Sequence, residues 1–188
     1  MNTIRKLSQL ELQKYSDHLL RLNSDDRYLR FGSQITDDMI IKHVISKSKD
    51  KKIILAAFDD NTFNIIAACE VAFIISSDSY NAETAEIGLS VEDNFRGRGL
   101  GTELFKRALI VARNRRVKTL LSYCLTRNKF MMRIAKAHGM QIHTEYGSSE
   151  ASIQLPQPSA ASLFEEMLGE GMAIAENYNA ILRNTWLK

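Results

Sequence analysis

Arg96-Gly97-Arg98-Gly99-Leu100-Gly101 is the stretch on which the reading of the whole chain turns. Upstream, Ala85 to Val91 reads as a strand and Glu92-Asp93-Asn94-Phe95 as the loop that leaves it. Downstream, Leu100, Leu104, Ala108, Val111 and Ala112 recur at helical spacing, which predicts a helix over 99–115 with that face buried. A strand, a glycine-rich turn and a helix start therefore follow one another. The first amides of a helix have no intrahelical partner and sit at the positive end of the dipole. Glycines let consecutive amides turn inward and let an anion approach the backbone closely. Arg96 and Arg98 add positive charge. The segment predicts an anion cradle suited to phosphate. A tight turn that binds nothing is the plainer alternative; three glycines and two arginines weigh against it.

Two nucleotide motifs fail here on spacing. A P-loop requires Gly-Lys-Ser/Thr at its end, and Gly101 is followed by Thr102-Glu103, with no lysine for the phosphates. A dinucleotide fold requires Gly-x-Gly-x-x-Gly; Gly97 and Gly99 match, Thr102 stands at the third glycine, and no acidic residue lies near Leu121 for a ribose.

Working outward, residues 8–23 read as a helix through Leu12, Tyr15, Leu19 and Leu22, broken by Ser24-Asp25-Asp26. Arg27-Tyr28-Leu29-Arg30-Phe31-Gly32 then reads as a basic-aromatic connector. Thr36 caps a second helix to about Ser46, and Lys47 to Lys52 is a charged turn. Strands are expected at Ile53–Phe58, Ile65–Ser76 (nearly all apolar, hence central), Ala85–Val91, Val117–Leu125, Gln141–Tyr146 and Ser152–Leu155. Ser77 to Ala82 is a loop. Asn128 to His138 is a helix closed by Gly139. Pro156 and Pro158 end the sheet region. Residues 159–187 form an amphipathic tail helix, with Gly169 and Gly171 as points of interruption and Trp186 as a packing residue.

At 188 residues, 45% hydrophobic and 25% charged, the chain fits one globular unit with a sizeable core. A net charge of +3 suits an anionic ligand and is too small to argue for nucleic acid. The basic run Arg113 to Lys118 reads as a solvated helix end. No apolar run approaches a membrane span and no secretory signal follows Met1, so a cytoplasmic protein is expected. Cys69 and Cys124 stand alone in apolar strands as reduced core thiols. His18, His43, His138 and His143 show no metal-ligand spacing, so no metal is expected.

What remains of the glycine cluster is Arg/Gln-x-x-Gly-x-Gly/Ala, filled by Arg96, Gly99 and Gly101. It resembles the acetyl-CoA motif of the GNAT (GCN5-related N-acetyltransferase) superfamily. Glu86 to Val91 looks like that family's fourth strand, Leu120 to Cys124 like its fifth, and Asn128 to Met140 like the helix that follows. Asn128, Met131 and Ala135, with Asp26 to Phe31 upstream, look most like the acetyltransferase domain of bacterial protein-lysine acetyltransferases. The likeness covers roughly residues 50–155 well and the first helices loosely. It implies an α/β fold with a mixed, mostly antiparallel twisted sheet, a splayed parallel strand pair and flanking helices. Residues 1–158 would be the acetyltransferase domain and 159–188 a helical extension, part of the same unit or a dimer contact, in a monomer or homodimer.

The resemblance also implies roles. The backbone of Leu89, Ser90 and Val91 would pair with the pantetheine arm of acetyl-CoA, the amides of Gly97, Arg98, Gly99, Leu100, Gly101 and Thr102 would hold its pyrophosphate, and Asn128 would bond the arm further along. Asn128 also makes an ordinary helix N-cap, and both roles are compatible. The acceptor would be an amine. At neutral pH an alkyl amine of pKa about 10.4 lies roughly 3.4 units from its neutral form, a deficit of about 4.6 kcal/mol, so a base is useful. Glu86 is the candidate base, or an edge carboxylate without a role; the Leu89 N–H is the candidate oxyanion donor. Many members carry a tyrosine seven residues after the helix asparagine as general acid; here Ala135 stands there. A thiolate of pKa about 8.5 leaves tolerably without one, and Ser122, Tyr123 and Cys124 are possible substitutes. Arg27, Tyr28, Arg30 and Phe31 would line the acceptor pocket or anchor a loop. A non-catalytic acyl-CoA-binding module is the rival reading.

Overall fold

The computed structural model describes residues 2–46, 52–74 and 83–186. Its described strands are β1 (Ile4–Lys6), β2 (Lys52–Phe58), β3 (Ile65–Ile74), β4 (Thr84–Val91), β5 (Thr119–Leu125), β6 (Gln141–Glu145) and β7 (Ser148–Gln154). The helices are α1 (Leu12–Arg21), α2 (Ser24–Phe31), α3 (Asp37–Ile45), α4 (Leu100–Asn114), α5 (Lys129–Ala137) and α6 (Ala160–Trp186). The strands form one sheet in the order β1-β2-β3-β4-β5-β7-β6. Every neighbouring pair is antiparallel except β4 and β5, which are parallel. This is the expected α/β architecture.

Two apolar layers sandwich the sheet. On one face, α4 and α5 lay Leu104, Phe105, Ala108, Met131 and Ile134 against Val71, Ile87 and Leu120. On the other, α1 and α3 lay Tyr15, Leu19, Ile40 and Val44 against Ile54, Ala56 and Ala68. The alternation of β2 explains the division: Leu55 and Ala57 enter the first cluster, Ile54, Ala56 and Phe58 the second. A strand covered on both faces has no polar side to show, which is why β2 and most of β3 read as continuous apolar runs.

The structure corrects several sequence readings. Ser24-Asp25-Asp26 does not break the chain: Asn23 accepts from the Asp26 N–H (2.8 Å) and caps α2. Asp25 and Asp26 sit in the first turn, where the dipole favours them, and Gly32 ends the helix at φ +72°. The supposed connector Arg27–Phe31 is therefore helical. The first helix starts later than expected, at Leu12 after a 3-10 turn over Gln9–Glu11. Lys52 belongs to β2, and β7 begins four residues earlier than expected, at Ser148. Strand β1 was unforeseen. Gly169 and Gly171 do not interrupt α6, which packs on α4 and β1. The expected loop Ser77–Ala82, residues 47–51 of the charged turn and the Trp186 side chain lie outside what is described. No helix among the described residues is long and apolar enough to cross a membrane.

Candidate active site

Strands β4 and β5 pair over three positions only: Thr84↔Thr119, Ala85↔Leu120 and Glu86↔Leu121. Beyond Glu86 they diverge. β4 stays on β3 as far as Val91, and β5 stays on β7 as far as Leu125. The facing edges of the two strands thus have no partner strand, and a wedge opens in the middle of the sheet. Strand backbone groups alternate sides. The N–H of Glu92 donates to the Ile66 carbonyl of β3 (2.9 Å), so the N–H of Ser90 faces β3 as well. Leu89 and Val91 consequently turn their N–H and C=O groups into the wedge. The Val91 carbonyl there accepts from Arg96 Nε at 3.3 Å. Of the three residues expected to line the arm by backbone, Leu89 and Val91 face the opening and Ser90 does not. The Ser90 hydroxyl lies 2.9 Å from Nε2 of the fully buried His18, whose Nδ1 lies 3.0 Å from Glu92. Burial pushes the His18 pKa down. The neutral ring then donates to the Glu92 carboxylate and accepts from Ser90.

At the wide end of the wedge, Gly97 (φ +74°) and Gly99 (φ +78°) adopt the left-handed conformation, with nothing within 4 Å of the Cβ each lacks. Gly99 is the N-cap of α4 and no side chain caps it. The first amide of α4 with a backbone partner is that of Glu103, which donates to the Gly99 carbonyl at 3.0 Å. The amides from Gly97 to Thr102 make no hydrogen bond among the described residues. A run of free N–H groups at a helix start fits a pyrophosphate. Leu100 is buried, so it could serve this cradle through its amide alone. Gly101 has a second reason to be glycine: a Cβ there would lie 2.7 Å from Phe130 of α5. Arg96 is not a free cation. It is ion-paired with Asp26 of α2 and lies 2.5 Å from Asp93. Arg98 donates to the Asn94 carbonyl and stacks on Phe95.

Asn128 caps α5: its Oδ1 accepts from the Met131 N–H at 3.0 Å. Its side-chain Nδ2 makes no hydrogen bond among the described residues, and the residue lines a cavity of about 150 Å3 in the wedge together with Leu89, Val91 and Arg96. Arg127 and Lys129 on either side of Asn128 line the same cavity, and the Arg127 guanidinium lies 4.9 Å from the Tyr28 ring centre of α2. These cations were missed in the sequence, although they flank the asparagine it singled out.

At the narrow end a second cavity, of about 600 Å3, is lined by Glu86, Gly88, Glu70, Arg30, His43 and Tyr123 among others. The even-numbered residues of β4 face α1–α3, which brings Glu86 beside the cross-strand neighbours Ala72 and Glu70. Glu86 is half-buried with no ion-pair partner among the described residues. Burial holds its carboxyl above the ordinary carboxylate value, a rise that nearby Arg30 partly opposes. Glu70 behaves oppositely. Burial would raise it, but the hydrogen bond from His43 (3.1 Å) and the charges of Arg30, His43 and Lys52 hold it at about 2. Tyr123 stands over this cavity from β5; desolvation and the carboxylates of Glu150 and Glu86 keep its hydroxyl above the ordinary value. Glu70 and His43 were also missed. A lone glutamate inside the apolar run Ile65–Ser76 was the available signal.

The chain matches the family description "Acetyltransferase (GNAT) domain" over residues 5–141, and it belongs to the GNAT acetyltransferase family. Solved structures of the same fold include the GNAT domain of PAT from S. lividans (18% identity, TM-score 0.68, covering 82% of this chain and 90% of that one). They also include yncA from Salmonella typhimurium with its cofactor acetyl-CoA (15% identity, TM-score 0.61, 85% and 97%). In sequence, it is similar to "Putative phosphinothricin acetyltransferase YwnH" of Bacillus subtilis (strain 168), 27% identical over 81 residues. That match spans 43% of this chain and about half (49%) of the relative.

Proposed function

We propose that this protein transfers an acetyl group from acetyl-CoA to a primary amine by direct attack of the amine on the thioester. The observation that carries the reading is the wedge between β4 and β5. It has a run of unpartnered amides, Gly97 to Thr102, at one end and a cavity with an unpaired carboxylate at the other. The acetyl-CoA bound to yncA, a relative of the same fold, supports the choice of donor. The pyrophosphate rests on the cradle amides, and the pantetheine arm runs down the wedge along the Leu89 and Val91 backbone with Asn128 opposite. The thioester then lies near Glu86. Glu86 takes the proton that the amine nitrogen loses as it bonds to the carbonyl carbon, and the Leu89 N–H donates to the developing oxyanion. Ala135 is buried in the core and offers no acid. Tyr123, whose hydroxyl is held above its ordinary value and so stays protonated at neutral pH, is one group in the cavity able to give a proton to the leaving thiolate. The acceptor is a small-molecule amine, or a lysine or N-terminus of a protein.

Thermal melting with acetyl-CoA, CoA, ATP and NAD tests the donor: the first two raise the Tm and the others do not. Free-thiol release across an amine panel tests the chemistry. Stabilisation by CoA without thiol release from any amine would leave a binding module rather than an enzyme.

A further inference from the structure

Arg30 occupies the last turn of α2, and its side chain is nine-tenths buried. Its guanidinium lies against β4 at Gly88, where a Cβ would come within 2.3 Å of Cζ. The notch left by the missing side chain is thus filled by a cation. That cation is poorly partnered. Nη2 is 3.5 Å from the Tyr15 hydroxyl and 3.9 Å from Glu70. The guanidinium carbon lies 5.0 Å from the Phe31 ring centre, but Nε is buried with no hydrogen-bond partner and Nη1 makes no hydrogen bond among the described residues. Glu70 has closer partners than Arg30: His43, Tyr15 and Lys52 approach its carboxylate at 3.1, 3.2 and 3.5 Å. A guanidinium with five donors, buried and left almost unbonded, is costly to fold. Such a group in a native structure calls for an explanation.

Its position supplies one. Among the described residues, Arg30 is the side chain common to the 600 Å3 cavity that holds Glu86 and the 150 Å3 cavity in the wedge that holds Leu89 and Asn128. Donor and acceptor meet there if the proposed acetyl transfer is right, on which this inference rests. We propose that Arg30 is a catalytic residue whose free Nη1–H donates to the thioester carbonyl oxygen, forming with the Leu89 N–H a two-donor oxyanion site. The amine lone pair forms the C–N bond as the carbonyl π pair moves onto oxygen, between these donors. The pair then returns, the C–S bond breaks and sulfur leaves with its electrons. The nitrogen's proton passes to Glu86, and the thiolate takes a proton from Tyr123 or water. Amine and thioester become amide and thiol. A planar cation is suited to this place because the charge it meets exists only during reaction.

The test uses the full chain with the best amine of the panel. Arg30→Ala should lower kcat by about a hundredfold, as loss of one oxyanion donor does, with acetyl-CoA affinity and both KM values little changed. Millimolar guanidinium should restore much of the loss, and ammonium at equal ionic strength should not. Gly88→Ala keeps the charge and displaces the guanidinium, so it should lower kcat as well; it decides the matter if Arg30→Ala fails to fold. Unchanged kcat in either folded variant overturns the assignment, as does a raised amine KM at constant kcat, which would make Arg30 an acceptor-binding group. If the wild type releases no thiol with any amine, the acetyl-transfer reading itself falls and takes this one with it.

Discussion

Glu86 and Glu70 face the same cavity from adjacent strands and titrate in opposite directions. Glu86 must be ionised to act as a base. Its carboxyl is raised by burial, so kcat/KM should fall as pH drops through that raised value. Glu86→Gln should abolish the acid limb and lower kcat/KM by about a hundredfold or more; an unchanged profile removes Glu86 from the chemistry. For Glu70 the readout is stability. Its folded pKa of about 2 lies below the ordinary 4.5. Its contribution is therefore complete above that ordinary value and is lost as pH falls from 4.5 towards 2. Denaturant titrations across this window should show the loss in the wild type and less of it in Glu70→Gln. At neutral pH that variant should be destabilised by about 3–5 kcal/mol, because Lys52 and Arg30 stay buried without their anion. The glycine cradle was legible in sequence because local spacing defines it, whereas Glu86 and Asn128 became candidates only through the family resemblance. Glu70 was not read as a site residue and Arg30 only as lining an acceptor pocket or anchoring a loop, since their meaning comes from the Glu70↔Gly88 register and from a helix packed over it.

Helix α2 carries Arg30, Arg27 and the Asp26 that engages Arg96, so the site depends on an element of eight residues. Its Asn23-Ser24-Asp25-Asp26 entry reads equally as a turn or as a cap followed by an acidic first turn, and eight residues are too few for periodicity to arbitrate. The same limit hid β1, with three residues, and the polar start of β7. The longer elements were legible because α4, β2 and β3 carry whole apolar faces or runs. Since α2 begins on the Asn23 cap, Asn23→Ala should cost about 1 kcal/mol of global stability in chemical denaturation. It should also lower acetyl-CoA affinity, through the Asp26–Arg96 tie, more than an exposed control such as Gln13→Ala.

Across the whole molecule, the element order around the cradle follows from the strand–glycine–helix sequence and the splayed pair from the family resemblance, whereas the extent of the splay follows from neither: nothing in β5 itself says that its pairing with β4 ends at Leu121. That ending leaves the protein with a sheet held together at its centre by three residue pairs. In the proposed complex the amides of the pantetheine arm would take the place of a missing strand segment. Deuterium uptake gives this a readable form. The amides of Leu89 and Val91, facing the wedge, should exchange fast in the free protein and slow on addition of acetyl-CoA. Ser90, between them and turned to β3, should be slow in both states. Under that proposal, three consecutive amides carry both a gauge of occupancy and the internal standard against which to read it.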